Sequence, residues 1–238
     1  MRINVFISAS GYCSRRAAER LVASGEVKIN GLIAEKNSLV EENDIVQVND
    51  EVIRLTNDKD YIILNKPVGI TCTGLRTVEA NIIDFVNYPK RLFPIGRLDK
   101  DSEGLIILTN DGPIAHKILH SEHGHEKEYI VTVDHPIDED FINGMSNGVI
   151  IGNVLTKKCK VSKIDDFTFR IILTQGLNRQ IRKMAKSLGY KVVKLRRIRI
   201  MNIHLENLEI GKWRDLSDSE LEQLKEQLKE EEENENFN

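Results

Sequence analysis

The chain has 238 residues, of which 40% are hydrophobic and 30% charged, a balance that fits a soluble globular protein and is too polar for a membrane protein. No apolar run reaches the length of a membrane span, and the stretch Met1-Arg2-Ile3-Asn4-Val5-Phe6, cut short by Ser10-Gly11, lacks the apolar block of a signal peptide; a cytoplasmic location without a membrane partner is expected. The net charge of -3 hides an asymmetry, because residues 218–238 carry nine acids and two bases and leave the rest at about +4, which permits a face for a polyanion.

Ile3, Phe6 and Ile7 share one face of a first helix that Ser10-Gly11 stops. Ser14 is placed to N-cap a second helix over residues 15–24, ended by Gly25, with Ala17 and Leu21 inward and Arg15, Arg16 and Arg20 outside. Val27 and Ile29 alternate ahead of an Asn30-Gly31 turn, and Ile45, Val46, Val48 and Val52 continue the strand pattern around Asn49-Asp50. Residues 1–56 thus predict a small αβ domain holding Arg15, Arg16, Arg20 and Lys28 on a rigid scaffold. Polar Thr56-Asn57-Asp58-Lys59-Asp60 is the predicted linker to the apolar strand Tyr61-Ile62-Ile63-Leu64.

Strand patterns over 104–109, 128–133, 167–174 and 191–193, mixed with a helical one over 178–188, predict a second domain over 57–216 of mixed α/β or α+β type. Ser217-Asp218-Ser219-Glu220 is a capping box. Leu221, Leu224 and Leu228 follow at helical spacing, and Glu230-Glu231-Glu232-Glu233 is expected to break the helix into a disordered acidic tail, so that 217–238 forms a third segment.

Cys13, Cys72 and Cys159 lie far apart without metal-ligand spacing and are expected as reduced thiols. His116, His120, His123 and His125 cluster, but no nearby cysteine completes a tetrahedral set, so they are expected at the surface or facing RNA, with no metal. Between Phe93-Pro94-Ile95 and the apolar strand at Leu105, the segment Gly96-Arg97-Leu98-Asp99-Lys100-Asp101-Ser102-Glu103-Gly104 packs acids and bases between glycines. It suits a loop that presents a reactive carboxylate on rigid support, although a charged surface turn has the same pattern. The run from Gln175 to Gly189 reads as a turn feeding a helix capped by Asn178, with Ile181, Met184, Ala185 and Leu188 buried. Arg179, Arg182, Lys183 and Lys186 occupy the rest of its circumference, and Lys191, Lys194, Arg196, Arg197 and Arg199 follow at once, a concentration of charge suited to phosphate.

The Gly96-Arg97-Leu98-Asp99 loop, Lys127-Glu128-Tyr129 and the Gln180-Ile181-Arg182-Lys183-Met184 helix resemble, in order and spacing, the RsuA-type pseudouridine synthases of ribosomal RNA. Residues 1–56 resemble the S4-like RNA-binding domain that precedes their catalytic domain. Gln175-Gly176-Leu177-Asn178-Arg179-Gln180 and Arg199-Ile200-Met201-Asn202 look most like the large-subunit subgroup, and the resemblance runs to about residue 216. It implies an α+β fold with a mixed, largely antiparallel sheet flanked by helices. It further implies an isomerase without cofactor, a monomer acting on ribosomal RNA, with transfer RNA open as a second substrate. Carried over residue by residue, it makes Asp99 the catalytic aspartate, Tyr129 the stacking tyrosine and Arg182 the basic partner that holds Asp99 ionised. Arg97 shapes the pocket or contacts RNA, Leu195 lines the pocket, and Asn178, Arg179, Gln180 and Lys183 bind substrate.

That chemistry needs one ionised carboxylate, as nucleophile or base, and a flat ring to stack on the flipped uracil. Three rivals fit less well. A ribosome-binding module without chemistry has no use for Asp99, Tyr129 and Arg182 together. A methyltransferase wants a glycine-rich cofactor turn that the sequence lacks. A hydrolase wants a second carboxylate, for which Asp101 or Glu103 is available.

Overall fold

The computed structural model describes residues 1–55, 58–75, 77–120 and 124–236, and the side chains of all of these except 120 and 230–236. The chain divides into two compact units. The first comprises Met1–Asp60, Tyr88–Phe93 and Thr109–Gly112, and the second the remainder. Thr56 and Asn57 of the predicted linker lie outside the described residues, as does His123. The two later stretches of the first unit are tied to Asp60: Thr109 Oγ1 donates to its carbonyl at 2.7 Å, and Tyr88 Oη and Asn110 Nδ2 reach its carboxylate at 3.1 Å each. Such bonds between distant residues leave no trace in periodicity.

In the first unit, α1 (Ile3–Ala9) and α2 (Arg15–Ala23) cover a sheet of β1 (Val27–Ile29), β2 (Leu32–Ile33), β3 (Val46–Val48) and β4 (Glu51–Ile53), in the order β2-β1-β3-β4. The Ser14 hydroxyl accepts from the Ala17 N–H, the predicted cap. Asn30 and Gly31, then Asn49 and Asp50, take positive φ and close two tight hairpins. The inward face of α2 is Ala18 and Val22 rather than Ala17 and Leu21, which are half-buried. The helix is turned by one residue from the predicted face because Val22 meets the core that Ile3, Phe6 and Ile7 share with Val27, Val46 and Val48.

The second unit opens with β5 (Tyr61–Lys66) and α3 (Ile82–Val86), followed by β6 (Phe93–Pro94), β7 (Glu103–Thr109), α4 (Gly112–His120) and β8 (Lys127–Val133). Then come α5 (Glu139–Asn147), β9 (Ile150–Ile151), β10 (Val154–Leu155), β11 (Lys160–Lys163), β12 (Thr168–Leu173) and α6 (Gln180–Ser187). β13 (Val192–Ile200), β14 (Ile203–His204), β15 (Trp213–Asp215) and α7 (Asp218–Asn236) complete it. Among the described residues, seven strands run in the order β11-β12-β8-β13-β7-β5-β15, with β14 added to β13. β8, β11, β12 and β13 pair antiparallel, whereas β13 meets β7 in parallel, Arg196 opposite Glu103 and Arg197 opposite Gly104. This is the mixed, largely antiparallel α+β sheet that was expected.

β5 and β7 are buried along their whole length, and their apolar stretches Tyr61-Ile62-Ile63-Leu64 and Leu105-Ile106-Ile107-Leu108 accordingly show no alternation, with buried Asn65, Lys66, Glu103 and Thr109 at the strand ends. Phe141 and Met145 of α5, with Ile181, Met184 and Ala185 of α6, pack on Val131, Phe169, Ile171 and Leu195 of the sheet. Gly104 has φ +109°, and a Cβ there would lie 2.2 Å from the Arg197 carbonyl oxygen; only glycine lets β7 come this close to β13. The capping box before α7 is present, with Ser217 N–H donating to Glu220 Oε2 at 2.8 Å and Glu220 N–H to Ser217 Oγ at 3.2 Å. Leu224 and Leu228 are buried. The helix continues to Asn236, through the glutamate run where a disordered tail was expected: glutamate is a good helix former, and the backbone carries the turns onward.

Candidate active site

Asp99 is carried by the loop that feeds β7. The Ser102 N–H returns to the Asp99 carbonyl at 3.1 Å, the Gly69 N–H reaches the Lys100 carbonyl at 2.7 Å, and the N–H of buried Leu98 meets Cys72 Sγ at 3.4 Å. The loop is thus fastened from both sides while the Asp99 side chain stays 33% exposed. Beneath it, fully buried Lys66 donates to the carbonyls of Pro67 and Ile70 at 2.8 and 3.0 Å. Burial pushes this ammonium below its ordinary range, against the opposing pull of Cys72, Asp101 and Asp99.

α6 supplies the cations. Arg179 forks onto Asp101, Nη1 to Oδ1 at 2.9 Å and Nη2 to Oδ2 at 2.7 Å, and the same Nη1 stands 3.5 Å from Asp99 Oδ2. The fork holds the Asp101 carboxyl below the usual carboxylate range. Arg182 donates to the Asp101 carbonyl at 2.8 Å, to Ser102 Oγ at 3.2 Å and to the Val192 carbonyl at 3.1 Å, and burial is the main influence on its guanidinium, lowering its pKa. The cation expected against Asp99 was Arg182; the ion-pairing cation is Arg179. Arg179 lies at the start of α6, beside the loop, while Arg182 stands one turn further on and is taken up by Asp101, Ser102 and β13. Asn178 is likewise not the helix cap. That place belongs to Arg179, in the left-handed region at φ 51° and ψ 38°, and Asn178 Oδ1 accepts from Lys183 Nζ at 3.2 Å.

Tyr129 stands on β8 opposite Arg197 of β13, and Leu195 opposite Val131. Arg97, Asp99, Tyr129, Arg182 and Leu195 all line one cavity of 620 Å³, with Asn178, Arg179 and Gln180 also on its wall, a size that suits a small ligand or a single nucleotide. Lys183 is not part of that wall. Gln180 is buried, its Oε1 accepting from the Leu177 N–H at 3.0 Å and its Nε2 donating to Gln175 at 3.1 Å, so its amide fastens the turn.

Asp101, Ser102, His125, Lys127 and Arg197 also shape or line this region. Sequence reasoning placed Asp101 only as a hydrolase's second carboxylate, Lys127 only within the Lys127-Glu128-Tyr129 motif, Arg197 only in a basic run and His125 only in a histidine cluster, and assigned Ser102 no role. The period-two spacing of Lys127 and Tyr129 on one strand was the available signal. His125 is buried, its Nε2 3.2 Å from the Lys117 carbonyl oxygen, rather than at the surface. Among the described residues no group of three histidine, cysteine or acidic side chains could hold a metal, and the three cysteines are free thiols. In the first unit Arg15, Arg16 and Arg20 are exposed, and Lys28 pairs with Asp50 at 2.7 Å.

Residues 60–187 match the family of RNA pseudouridylate synthases, and residues 1–52 match the S4 domain. The chain belongs to the RNA pseudouridylate synthase family. It is 54% identical to the dual-specificity RNA pseudouridine synthase RluF of Escherichia coli strain K12, over 93% of this chain and 77% of that one. It is 34% identical to the ribosomal small subunit pseudouridine synthase A of Haemophilus influenzae, over 94% and 99%. A crystal structure of a pseudouridylate synthase superposes with a TM-score of 0.69 at 32% identity, covering 94% of this chain and 99% of the other. The chain is therefore an RNA-binding isomerase that turns uridine into pseudouridine, with an S4 domain ahead of the catalytic one. Among the described residues no helix is long and apolar enough to cross a membrane.

Proposed function

We propose that this synthase modifies one specific uridine of ribosomal RNA, in the large subunit, working in the cytoplasm as a monomer without a cofactor, with Asp99 as the catalytic nucleophile or base. The reaction breaks the bond from N1 to C1′, turns the uracil, joins C5 to C1′ and releases the C5 proton. In this reading Asp99 acts at the sugar or the base, Tyr129 stacks on the flipped ring, Leu195 closes the apolar side, and Arg182 braces the Asp99 loop through Asp101 and Ser102. Arg97, Asn178 and Arg179 hold the flanking nucleotides, while Gln180 and Lys183 support the turn that carries them. Arg15, Arg16, Arg20 and Lys28 add affinity for the RNA backbone.

The observation that carries the reading is that Asp99, Tyr129, Arg182 and Leu195, drawn from four separate stretches of sequence, line the same cavity. The name of the Escherichia coli relative, a dual-specificity enzyme, favours a second RNA substrate, and transfer RNA is the candidate.

Mapping pseudouridine in ribosomal and transfer RNA from cells with and without the gene tests the substrate: a lost site in large-subunit RNA is expected. Tritium release from RNA labelled at C5 of uridine tests the residue. Asp99→Asn is expected to lower the rate by more than about a thousandfold while RNA is still bound, since the amide keeps shape but neither attacks nor takes a proton. A loss of less than about tenfold would remove Asp99 from the mechanism.

A further inference from the structure

Lys127 and Arg197 both line the cavity, each within range of the other's charge, and among the described residues neither has a carboxylate at ion-pairing distance. Lys127 lies two positions before Tyr129 on β8, so both side chains project from one face of the strand into the same space. Its Nζ donates to the His125 carbonyl at 3.0 Å. An ammonium has three donors, and the other two have no partner among the described residues. Arg197 is only 3% exposed; its Nε donates to the Leu105 carbonyl at 2.7 Å, and its Nη2 has no partner there.

Burial first, and the charge of Arg197 second, bring the Lys127 ammonium down to about 8. A partly buried ammonium and a buried guanidinium that feel each other's charge without an acid work against folding, and both line the cavity. The other charged or titratable groups around the cavity are Tyr129 beside it on β8, His125 just before that strand, Asp99 with Arg97 from the loop, and Arg179 with Arg182 from α6. Asp99 is matched by Arg179. From α4 and β12 come only the apolar Ile118, Leu119 and Leu173.

Resting on the pseudouridine synthase reading of this cavity, we infer that Lys127, backed by Arg197, holds a carbonyl oxygen of the uracil and carries the ring's negative charge while the ring is detached from the sugar. When the bond from N1 to C1′ breaks, its electron pair stays with N1 and spreads onto O2 and O4, and the ammonium facing one of these oxygens makes an ion pair with the ring. The matching electron deficit at the sugar falls to Asp99. Lys127 keeps its proton throughout. When C5 joins C1′, the ring's pair becomes the new carbon–carbon bond, and the C5 proton passes to water, which is where tritium release records it, without Lys127 taking it up. The arrangement is a preformed oxyanion site, whose donors need no reorganisation as charge develops.

The test uses the full chain and total RNA, tritiated at C5 of uridine, from cells lacking the gene. Tritium release by wild type, Lys127→Met, Lys127→Arg and Asp99→Asn is followed as kcat/KM, which reports the free enzyme, from about pH 6 to about pH 10. Wild-type kcat/KM is expected to fall as pH rises through about 8. Lys127→Arg, which stays charged, should carry that fall to higher pH. Lys127→Met should lose about a hundredfold with RNA affinity nearly unchanged. Four results would overturn the inference: Lys127→Met within about threefold of wild type, a fall that Lys127→Arg keeps in place, a rate that rises through pH 8 as a neutral amine base would require, or a loss confined to RNA affinity and its salt slope as for a phosphate contact. Should Lys127→Met fail to melt cooperatively, the Lys127→Arg profile decides alone. A wild type that releases no tritium defeats the reading of the site as a whole. Release by wild type and Lys127→Met but not by Asp99→Asn defeats only the role of Lys127.

Discussion

Arg179 grips Asp101 through Nη1 and Nη2 at 2.9 and 2.7 Å, and Arg214 grips Glu220 through the same two nitrogens at 2.7 and 2.8 Å. As contacts the two forks are equivalent. Their surroundings differ. Glu220 also closes the capping box with Ser217, and Arg214 stands on β15 at the end of the sheet order, so this fork joins an edge strand to the first turn of α7. Neither residue lines the cavity. The Arg179 fork joins the Asp99 loop to α6, from a residue held in the left-handed region, and its Nη1 is shared with Asp99. Asp101 is 48% exposed at its side chain and Glu220 18%, so solvent screens the first far more than the second. An arginine fork is therefore assigned to stability or to chemistry by what its remaining atoms face, since its own length says nothing about either.

Substitutions can separate the two. Asp101→Asn should release Arg179 and remove the ion pair that Arg182 Nε makes with the Asp101 carboxylate at 3.5 Å, and lower single-turnover isomerisation by about a hundredfold, with a melting temperature close to wild type. A melting shift larger than that of Glu220→Gln, or turnover near wild type, would erase the distinction. Glu220→Gln should do the reverse, costing about 2 kcal/mol in urea unfolding and leaving turnover unchanged. The effect has a defined pH window. The Arg214 fork, with the backbone N–H of Ser217, lowers the Glu220 carboxyl to about 2 from its ordinary 4.5. A lowered acid stabilises fully above its unfolded value and loses that contribution as pH falls through the folded one. The gap in stability between wild type and Glu220→Gln should thus be widest above pH 4.5 and close as pH drops toward 2. A gap that stays constant with pH would mean that shape rather than charge holds the helix.

The same pair of forks shows how far the sequence could be read. Ser217 and Glu220 lie three apart, so the capping box is a local pattern with a local mechanism, and it was visible. So were the Ser14 cap, the Asn30-Gly31 turn and the polar loop around Asp99, each specified within a few residues. Arg179 and Asp101 are 78 residues apart, and no periodicity reports a contact that chain reversal creates. For that reason the ion pair to Asp99 was expected from Arg182, the family's position, and the helix cap from Asn178, the residue with capping chemistry. Lys127 was seen only as part of a motif. Its cationic neighbour Arg197 comes from a strand 70 positions later, and burial, which gives the pair its character, is a property of the packed sheet. The C-terminal helix was cut short in the sequence reading because like charge was weighted over helix propensity.

Gly104 bears no functional group, yet the parallel junction between β7 and β13 depends on it. The loop with Asp99 leads into one of these strands, while Leu195 and Arg197 belong to the other. In a mutational scan this position should behave like an active-site residue. Gly104→Ala, with its Cβ forced against the Arg197 carbonyl and its φ at +109°, is expected to part the strands, lower the melting temperature and abolish turnover together, as circular dichroism and tritium release would record. The position thus carries a functional constraint with no functional group, since what the junction needs there is only the absence of a side chain.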